Sequence, residues 1–287
     1  MRILVTGAGG QLGQDVVAAA ARAGHAVTAC GHGALDVTEE RAIAAVVDSA
    51  APEAIVNCAA YTDVDGAEAN EPAATRVNGA AAGVLARAAA SAGALLVHVS
   101  TDYVFDGEAS RDYVESDPTA PLSAYGRSKL AGEQAVAASG ARHAIVRTSW
   151  LFGPGGGNFV ETMLRLAGER EELAVVDDQV GCPTFTGHLA PALVQIVERP
   201  LTGVRHVAAA GHCSWNRFAA EIFRQAQMSC SVRASSTADL GRPAPRPARS
   251  VLVSEHDDTP RLPDWREGLS AYLAQRGAPA MAPGAAR

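Results

Sequence analysis

The sequence has no long basic run, and its formal net charge is −7. That argues against nucleic acid as a main partner, because neutralising phosphates needs clustered Lys and Arg. A small anionic ligand stays open, since a local pocket can be basic in an acidic protein. No apolar stretch reaches the length of a membrane span. No targeting segment precedes the first strand-like run, where Ile3-Leu4-Val5 follows Arg2. There is no CxxC pair. The five cysteines (Cys30, Cys58, Cys182, Cys213, Cys230) are odd in number and widely spaced, which argues against a disulfide framework or a zinc site. A reducing cytoplasm is the expected compartment, with no membrane partner. No internal repeat is visible.

What remains is a folded chain. Its 287 residues are 48% hydrophobic, enough for one large core or two closely joined lobes. Short apolar runs over 3–6, 26–30, 54–57, 95–100 and 144–148 read as strands. They alternate with helical patterns over 11–23, 38–49, 71–92 and 123–139, with Thr38 as the N-cap of the second. Continuous apolar strands between helices indicate a parallel sheet covered on both faces. The expected fold is α/β: a Rossmann-type doubly wound parallel sheet with a smaller C-terminal substrate-binding lobe. Residues 1–149 form the dinucleotide-binding domain, with segments near 159–208 returning to it. Residues 150–277 form mainly the second lobe. Helices are expected over 159–168, 187–198, 215–227 and 264–275, with Ser214 capping the third, and short strands over 173–176 and 204–208. An extended Pro- and Arg-rich loop covers 242–249. The tail over 278–287 is expected to be disordered.

The run Thr6-Gly7-Ala8-Gly9-Gly10-Gln11-Leu12-Gly13 follows the first strand and opens the first helix. Glycines at 7, 10 and 13 permit a tight turn and let backbone N–H groups approach a pyrophosphate. The helix N-terminus adds partial positive charge. Gly7, Gly10, Gln11, Leu12 and Gly13 are therefore cofactor-site candidates. A ribose-binding acid belongs at the end of the second strand. Here that place reads Cys30-Gly31-His32-Gly33, with no carboxylate before Asp36. An acid there is what repels a 2′-phosphate, so strict NAD use is not expected. No arginine stands there either. The expected cofactor is NADPH, with NADH left open.

Tyr125-Gly126-Arg127-Ser128-Lys129 sets a tyrosine and a lysine four apart, on one face of a helix. Reducing a ketone requires a hydride and a proton for the new alkoxide. A tyrosine with an ordinary pKa near 10 can give that proton if its ionised form is stabilised, and Lys129 can supply the charge and also hold the ribose. Such pairs also arise by chance on exposed helices. Ser100-Thr101-Asp102-Tyr103 directly follows the fourth strand, where strand ends line the ligand crevice. A hydroxyl there can polarise a substrate carbonyl; the plain alternative is an ST-turn or helix cap. Glycine turn, strand-end hydroxyl, then Tyr and Lys, in that order, point to a dehydrogenase. Cys58, His98 and His206 read as structural groups. Arg242, Arg246 and Arg249 could serve a diphosphate or simply be solvated.

Over nearly its whole length the sequence resembles the dTDP-4-dehydrorhamnose reductases, within the extended short-chain dehydrogenases. The resemblance rests on Gly7 to Gly13, the segment 56–62 (VNCAAYT), the segment 100–107 (STDYVFDG), Tyr125 to Lys129 with Gly132-Glu133, the segment 147–153 (RTSWLFG), Asn158-Phe159-Val160, the segment 178–184 (DQVGCPT), and Arg246-Pro247 before Ser250. It implies a catalytic triad of Thr101, Tyr125 and Lys129. It sets Ala59, Ala60 and Tyr61 against the cofactor, with Asp36 and Val37 near the adenine. Thr101, Asp102, Tyr103 and Trp150 would meet the substrate, a dTDP-linked deoxysugar, with Asn158, Gln179 and Arg246 as further substrate-side candidates. The implied reaction is reduction of the C4 ketone of dTDP-4-dehydro-L-rhamnose to dTDP-L-rhamnose. Two alternatives are reduction of another dTDP-4-keto-6-deoxysugar and, as a different class, a non-catalytic NADP-binding regulatory subunit. The intact Thr101, Tyr125 and Lys129 speak against the last. Some members hold Mg²⁺ at a dimer contact with acids early in the first helix and after the Pro-Thr pair. Here Asp15 stands in the first place, but Thr186-Gly187-His188-Leu189 in the second, and Mg²⁺ prefers carboxylates. No metal site is expected; a homodimer of another kind stays open.

Overall fold

Leu4, Ile55 and Leu96 stand side by side on three adjacent strands, and so do their chain neighbours Val5, Val56 and Val97. All six are at most 1% exposed. Successive side chains of a strand point to opposite faces, so both faces of this sheet are apolar and both must be covered. The computed structural model describes residues 1–277 and shows how; the tail over 278–287 lies outside the described residues. Strands β1 (Arg2–Thr6), β2 (Ala26–Cys30), β3 (Ala54–Asn57), β4 (Leu95–Thr101) and β5 (His143–Thr148) join the strand Gly203–His206 in one six-stranded sheet. Every pairing is parallel, in the order β2-β1-β3-β4-β5 and then Gly203–His206.

Helices α1 (Gln11–Arg22) and α8 (Thr186–Glu198) cover the Val5 face through Val16 and Leu193. On the Leu4 face lie α2 (Glu40–Ala50) and α5 (Ala81–Ser91), through Ile43, Val47 and Leu85. A fully buried side chain of this size contributes about 1.5–3 kcal/mol, so this two-sided burial is what makes the apolar runs strands. A second core is richer in aromatics, with Phe152, Phe185, Phe218 and Trp265 at its centre. It is built from α7 (Phe159–Ala167), α9 (Trp215–Gln225), the last helix Trp265–Gly277, and the parallel pair Glu172–Val176 with Ser231–Ser235. Thus α8 and the strand Gly203–His206 pack with the large sheet, while α7 and Glu172–Val176 pack in the second core.

Two elements differ from the sequence reading. The helix expected over 71–92 is three pieces: α4 (Glu71–Thr75), a π-helical turn Arg76–Ala80, and α5. A shorter helix, α3 (Val64–Ala69), precedes them, capped by Asp63 through the Gly66 amide. Thr38 does not cap α2. Glu39 holds that position without a side-chain bond, because Thr38 is turned back onto Asp36, bonded at 2.8 and 2.7 Å. Ser214 does cap α9, accepting from the Arg217 amide.

Candidate active site

The order of strands reverses at β1: β2 lies on one side of it and β3 on the other. A ligand crevice belongs outside the carboxyl ends of the strands at such a point. Gly7 sits there with φ +67, a backbone conformation that an L side chain rarely adopts. A Cβ on it would stand 2.5 Å from the Ala59 nitrogen, and one on Gly13 only 2.1 Å from the Gly7 oxygen. The turn is thus pressed against the segment after β3, and α1 against the turn. Gly10, the N-cap of α1, offers no side-chain cap, so the helix's first amides have no side chain competing for them. This cradle fits a pyrophosphate. Gln11 donates to Gly157 O at 2.9 Å and brings the 153–157 loop over the start of α1. Leu12 is buried in the sheet core. Asp36 is exposed, its carboxyl held below the usual range first by the Thr38 amide and hydroxyl, then weakly by His32 and Arg76. Val37 packs against the core on the Leu4 face of the sheet.

A polar chain crosses the strand ends under the crevice. Thr6 donates to Asn57 at 2.7 Å, Asn57 also accepts from the Ala59 amide at 3.1 Å, and its Nδ2 meets His98 Nδ1 at 3.0 Å. Burial and nearby Lys129 push His98 well below its ordinary pKa, so it is neutral; its Nε2 has no partner among the described residues. Tyr61 is clamped by Asn78 of the π turn. The Tyr61 amide donates to Asn78 Oδ1 at 2.8 Å, and Asn78 Nδ2 donates to Tyr61 O and Ser128 Oγ at 3.0 and 2.9 Å. The π turn brings this asparagine between Ala59-Ala60-Tyr61 and the helix that carries Tyr125. An Asn-Gly pair inside an Ala-rich helical run was the only sign of it in the sequence.

Helix α6 (Ala124–Ala137) starts at Ser123, which accepts from the Gly126 amide, and carries Tyr125 and Lys129. Thr101 ends β4 and accepts from the Tyr103 amide at 3.2 Å. Its hydroxyl lies beside the Tyr125 phenol, which burial pushes up to about 12 against that neighbour's opposing effect. Thr101 itself donates to Asp102 at 3.1 Å, and Ser250 donates to the other Asp102 oxygen at 2.5 Å. Burial raises Asp102 to about 7 in spite of those bonds. Tyr103 packs edge-on to Tyr125, 5.6 Å between ring centroids.

Lys129 is the only lysine in the chain; the other 23 basic residues are arginine. It is 3% exposed, and its Nζ donates to Val99 O at 2.7 Å. Burial lowers it to about 8, with Glu133 and Cys58 opposing. An ammonium has three protons, so two remain for other partners. Burial drives Cys58 the other way, to about 12; its thiol stays protonated, a packing group rather than a nucleophile. Beneath Lys129, Glu133 pairs with Arg147 at 2.7 Å and accepts from Ser100 at 2.5 Å, all buried. The Gly-Glu and Arg-Thr-Ser-Trp runs are therefore two halves of one ion pair. Breaking such a pair costs about 3–5 kcal/mol.

The other candidates are placed differently. Trp150, at φ +47, lies flat on Trp215 with centroids 3.6 Å apart and planes at 4°, and its indole edge runs along Gly181. Gln179 is buried; it accepts from Trp215 Nε1 at 3.2 Å and donates to Thr237 at 2.9 Å. Asn158 caps α7 and donates to Gly153 O and the Tyr272 hydroxyl at 2.9 and 3.2 Å. Both amides are spent inside the second lobe. Arg246 lies against Tyr103 and is ion-paired with Asp65. Asp15 lies beside Thr186, with one oxygen buried and without a partner among the described residues. Leu189, where a second acid would be needed, is fully buried. One carboxylate, a hydroxyl and a leucine are not a donor set for Mg²⁺.

A doubly wound sheet with a glycine cradle at its switch point, Thr101 at the end of β4, and Tyr125 and Lys129 on the helix α6 that follows, defines an oxidoreductase of the short-chain dehydrogenase type. Within that class the chain belongs to the family described as RmlD substrate binding domain, whose model matches residues 1–277. It is 44% identical over 286 residues to the dTDP-4-dehydrorhamnose reductase of Burkholderia thailandensis, covering 93% of this chain and 96% of that one. A Streptomyces antibioticus protein described as a probable dTDP-4,6-dihydroxy-2-methyloxan-3-one 4-ketoreductase is 43% identical over 277 residues, 94% of this chain and 93% of that one. The crystal structure of the Bacillus anthracis dTDP-4-dehydrorhamnose reductase in complex with NADP superposes with a TM-score of 0.92 at 39% identity, covering 96% of this chain and 99% of that one.

Proposed function

We propose that this protein reduces the C4 ketone of dTDP-4-dehydro-L-rhamnose to dTDP-L-rhamnose, with NADPH as the preferred cofactor. The observation that carries the reading is the Thr101 hydroxyl beside the Tyr125 phenol, at the end of β4 in the same sheet whose β1 end holds the glycine cradle. NADPH, held in that cradle by Gly7, Gly10 and Gly13, would supply the hydride. Tyr125 supplies the proton. Burial holds the phenol at about 12, above its ordinary value and not below it, where the Lys129 charge is expected to bring it; it is protonated near neutrality, and giving up the proton requires the phenolate to be stabilised as it forms. Thr101 turns its hydroxyl from Asp102 toward the carbonyl oxygen and stabilises the charge that develops there. The phenolate left behind is stabilised by Thr101 and by the Lys129 ammonium, whose remaining protons can also hold the ribose.

The same chemistry on another dTDP-4-keto-6-deoxysugar is the second reading, favoured by the Streptomyces antibioticus relative. Steady-state turnover on a panel of dTDP-ketosugars separates the two. Highest kcat/KM on dTDP-4-dehydro-L-rhamnose supports the first reading. Higher kcat/KM on another member selects the second, and no turnover on any member removes both.

A further inference from the structure

Lys129 and Glu133 stand four apart on α6, so their side chains leave the same face of the helix, one turn from each other. That face lies on β4. Lys129 Nζ donates to Val99 O at 2.7 Å, and Ser100, the next residue of the strand, donates from its hydroxyl to Glu133 Oε1 at 2.5 Å. Arg147 stands beside Ser100 on β5. It takes the carboxylate with two nitrogens, Nη2 donating to Oε2 at 2.7 Å and Nε to Oε1 at 3.0 Å. The carboxylate is thus held from two strands. Lys129 is 3% and Glu133 4% exposed, so little water screens the one from the other.

Burial alone drives an ammonium toward its neutral form, and a nearby anion restores the charge. Among the described residues, the groups around Lys129 leave one such anion. Cys58, after β3, has a thiol that burial keeps protonated. His98, on β4, is held neutral by burial and by Lys129 itself. Tyr125, on α6, is protonated. Asp102, after β4, spends its oxygens on Thr101 and Ser250. Arg147 is a cation. Glu133 remains, and it opposes the effect of burial on Lys129.

We propose that Glu133 is a positioning residue for the reaction: clamped by Ser100 and Arg147, it is the fixed anion that keeps the Lys129 ammonium charged in its buried place. This rests on the reading of Lys129 above, as the charge that stabilises the Tyr125 phenolate and holds the cofactor ribose. The ion pair with Arg147 then does more than close the core. Ser100 and Arg147 hold the carboxylate still, the carboxylate keeps the lysine charged, and the lysine meets the ligand. Glu133 acts through Lys129 and not on the substrate.

Because the chain has a single lysine, full-length protein labelled with ¹⁵N at the lysine side chain gives one signal, and its shift reports Lys129 alone. The test is titration of that signal with pH. The unaltered protein should show a midpoint at about 8. Glu133→Gln keeps the shape and removes the charge, and its midpoint should fall by about one pH unit or more. Glu133→Asp keeps the charge on a shorter side chain and should fall less. An unchanged midpoint in folded Glu133→Gln overturns the proposal. So does an equal fall in Glu133→Asp, which would make the effect one of packing. Glu133→Gln combined with Arg147→Met removes the pair together and leaves no lone buried cation. Its midpoint is also expected to fall, and an unchanged one overturns the proposal even if the single variant does not fold. NADPH affinity over the same pH range should begin to fall at the lower pH in Glu133→Gln; an unmoved profile overturns the role in the reaction. The signal is titrated without cofactor or substrate, so it is independent of turnover. A lowered midpoint with no turnover of any dTDP-ketosugar removes the functional reading and leaves the coupling of the two charges. Turnover with an unmoved midpoint removes the role of Glu133 alone.

Discussion

The Trp150 ring lies face to face with Trp215, 3.6 Å between centroids and 4° between planes. One face of the residue expected to meet the sugar is therefore already covered. Stacked aromatic pairs contribute about 0.5–1.5 kcal/mol beyond their buried area. Trp150→Ala is expected to do two things: lower the unfolding free energy by about 1–3 kcal/mol, and raise KM for the ketosugar. Trp215→Ala should raise KM too, since it leaves Trp150 unsupported. NADPH affinity should change in neither. Denaturant melts, ketosugar KM and NADPH titration on both variants check this. Normal kinetics in both variants would make the pair part of the core only.

Lys129 carries a pH prediction. Its pKa lies below the ordinary lysine value, at about 8, because it is buried. The charged form is present below that pH and is lost as pH rises through it. A hydrogen bond from a charged donor is stronger than one from a neutral donor by about 1 kcal/mol. NADPH affinity of the free protein should thus fall by about fivefold between about pH 7 and 9.5. In Lys129→Met the affinity should be weaker throughout and flat over that range. A flat profile in the unaltered protein would show that the ammonium does not hold the cofactor.

Cofactor preference follows from the end of β2. Cys30 is followed by Gly31 and His32, and the nearest carboxylate, Asp36, is engaged with Thr38. NADPH should be used at least as well as NADH. A ratio of kcat/KM favouring NADH by more than about tenfold, or about 1.4 kcal/mol, contradicts this.

Metal dependence tests the reading of Asp15, with His188 and Leu189 where acids would be needed. Activity should be the same after EDTA treatment and after Mg²⁺ is added back. Loss on chelation, restored by Mg²⁺, would show that a metal is held after all.

The sheet was readable because its apolar runs are buried on both faces and carry no competing pattern. Leu4 with Ile55 and Leu96 is one such row. The glycine turn was readable because glycine is what its geometry demands. Long-range pairings were not. Nothing near Trp150 in sequence announces Trp215, 65 residues on, and nothing near Arg246 announces Asp65. The break in the helix over 71–92 was hidden because helix periodicity tolerates one widened turn; only the Asn78-Gly79 pair marks it. Thr101, Tyr125 and Lys129 come from one strand–helix unit, β4 and α6, and their order along the chain was enough to group them. Asn158 and Gln179 stood in family motifs, which mark a position without saying whether its side chain faces a ligand or the protein; here each is bonded within the second lobe.

Tyr125→Phe tests the central claim most directly. The change keeps the ring that packs against Tyr103 and removes the hydroxyl that gives the proton. Removing a positioned proton donor costs about 10² to 10⁴ in rate. The measurement is kcat on dTDP-4-dehydro-L-rhamnose, with NADPH affinity and melting temperature taken on the same preparation. The expected result is a fall in kcat of at least about a hundredfold with both controls unchanged. Turnover close to that of the unaltered protein would contradict the assignment of Tyr125 as the proton donor, and the mechanism with it.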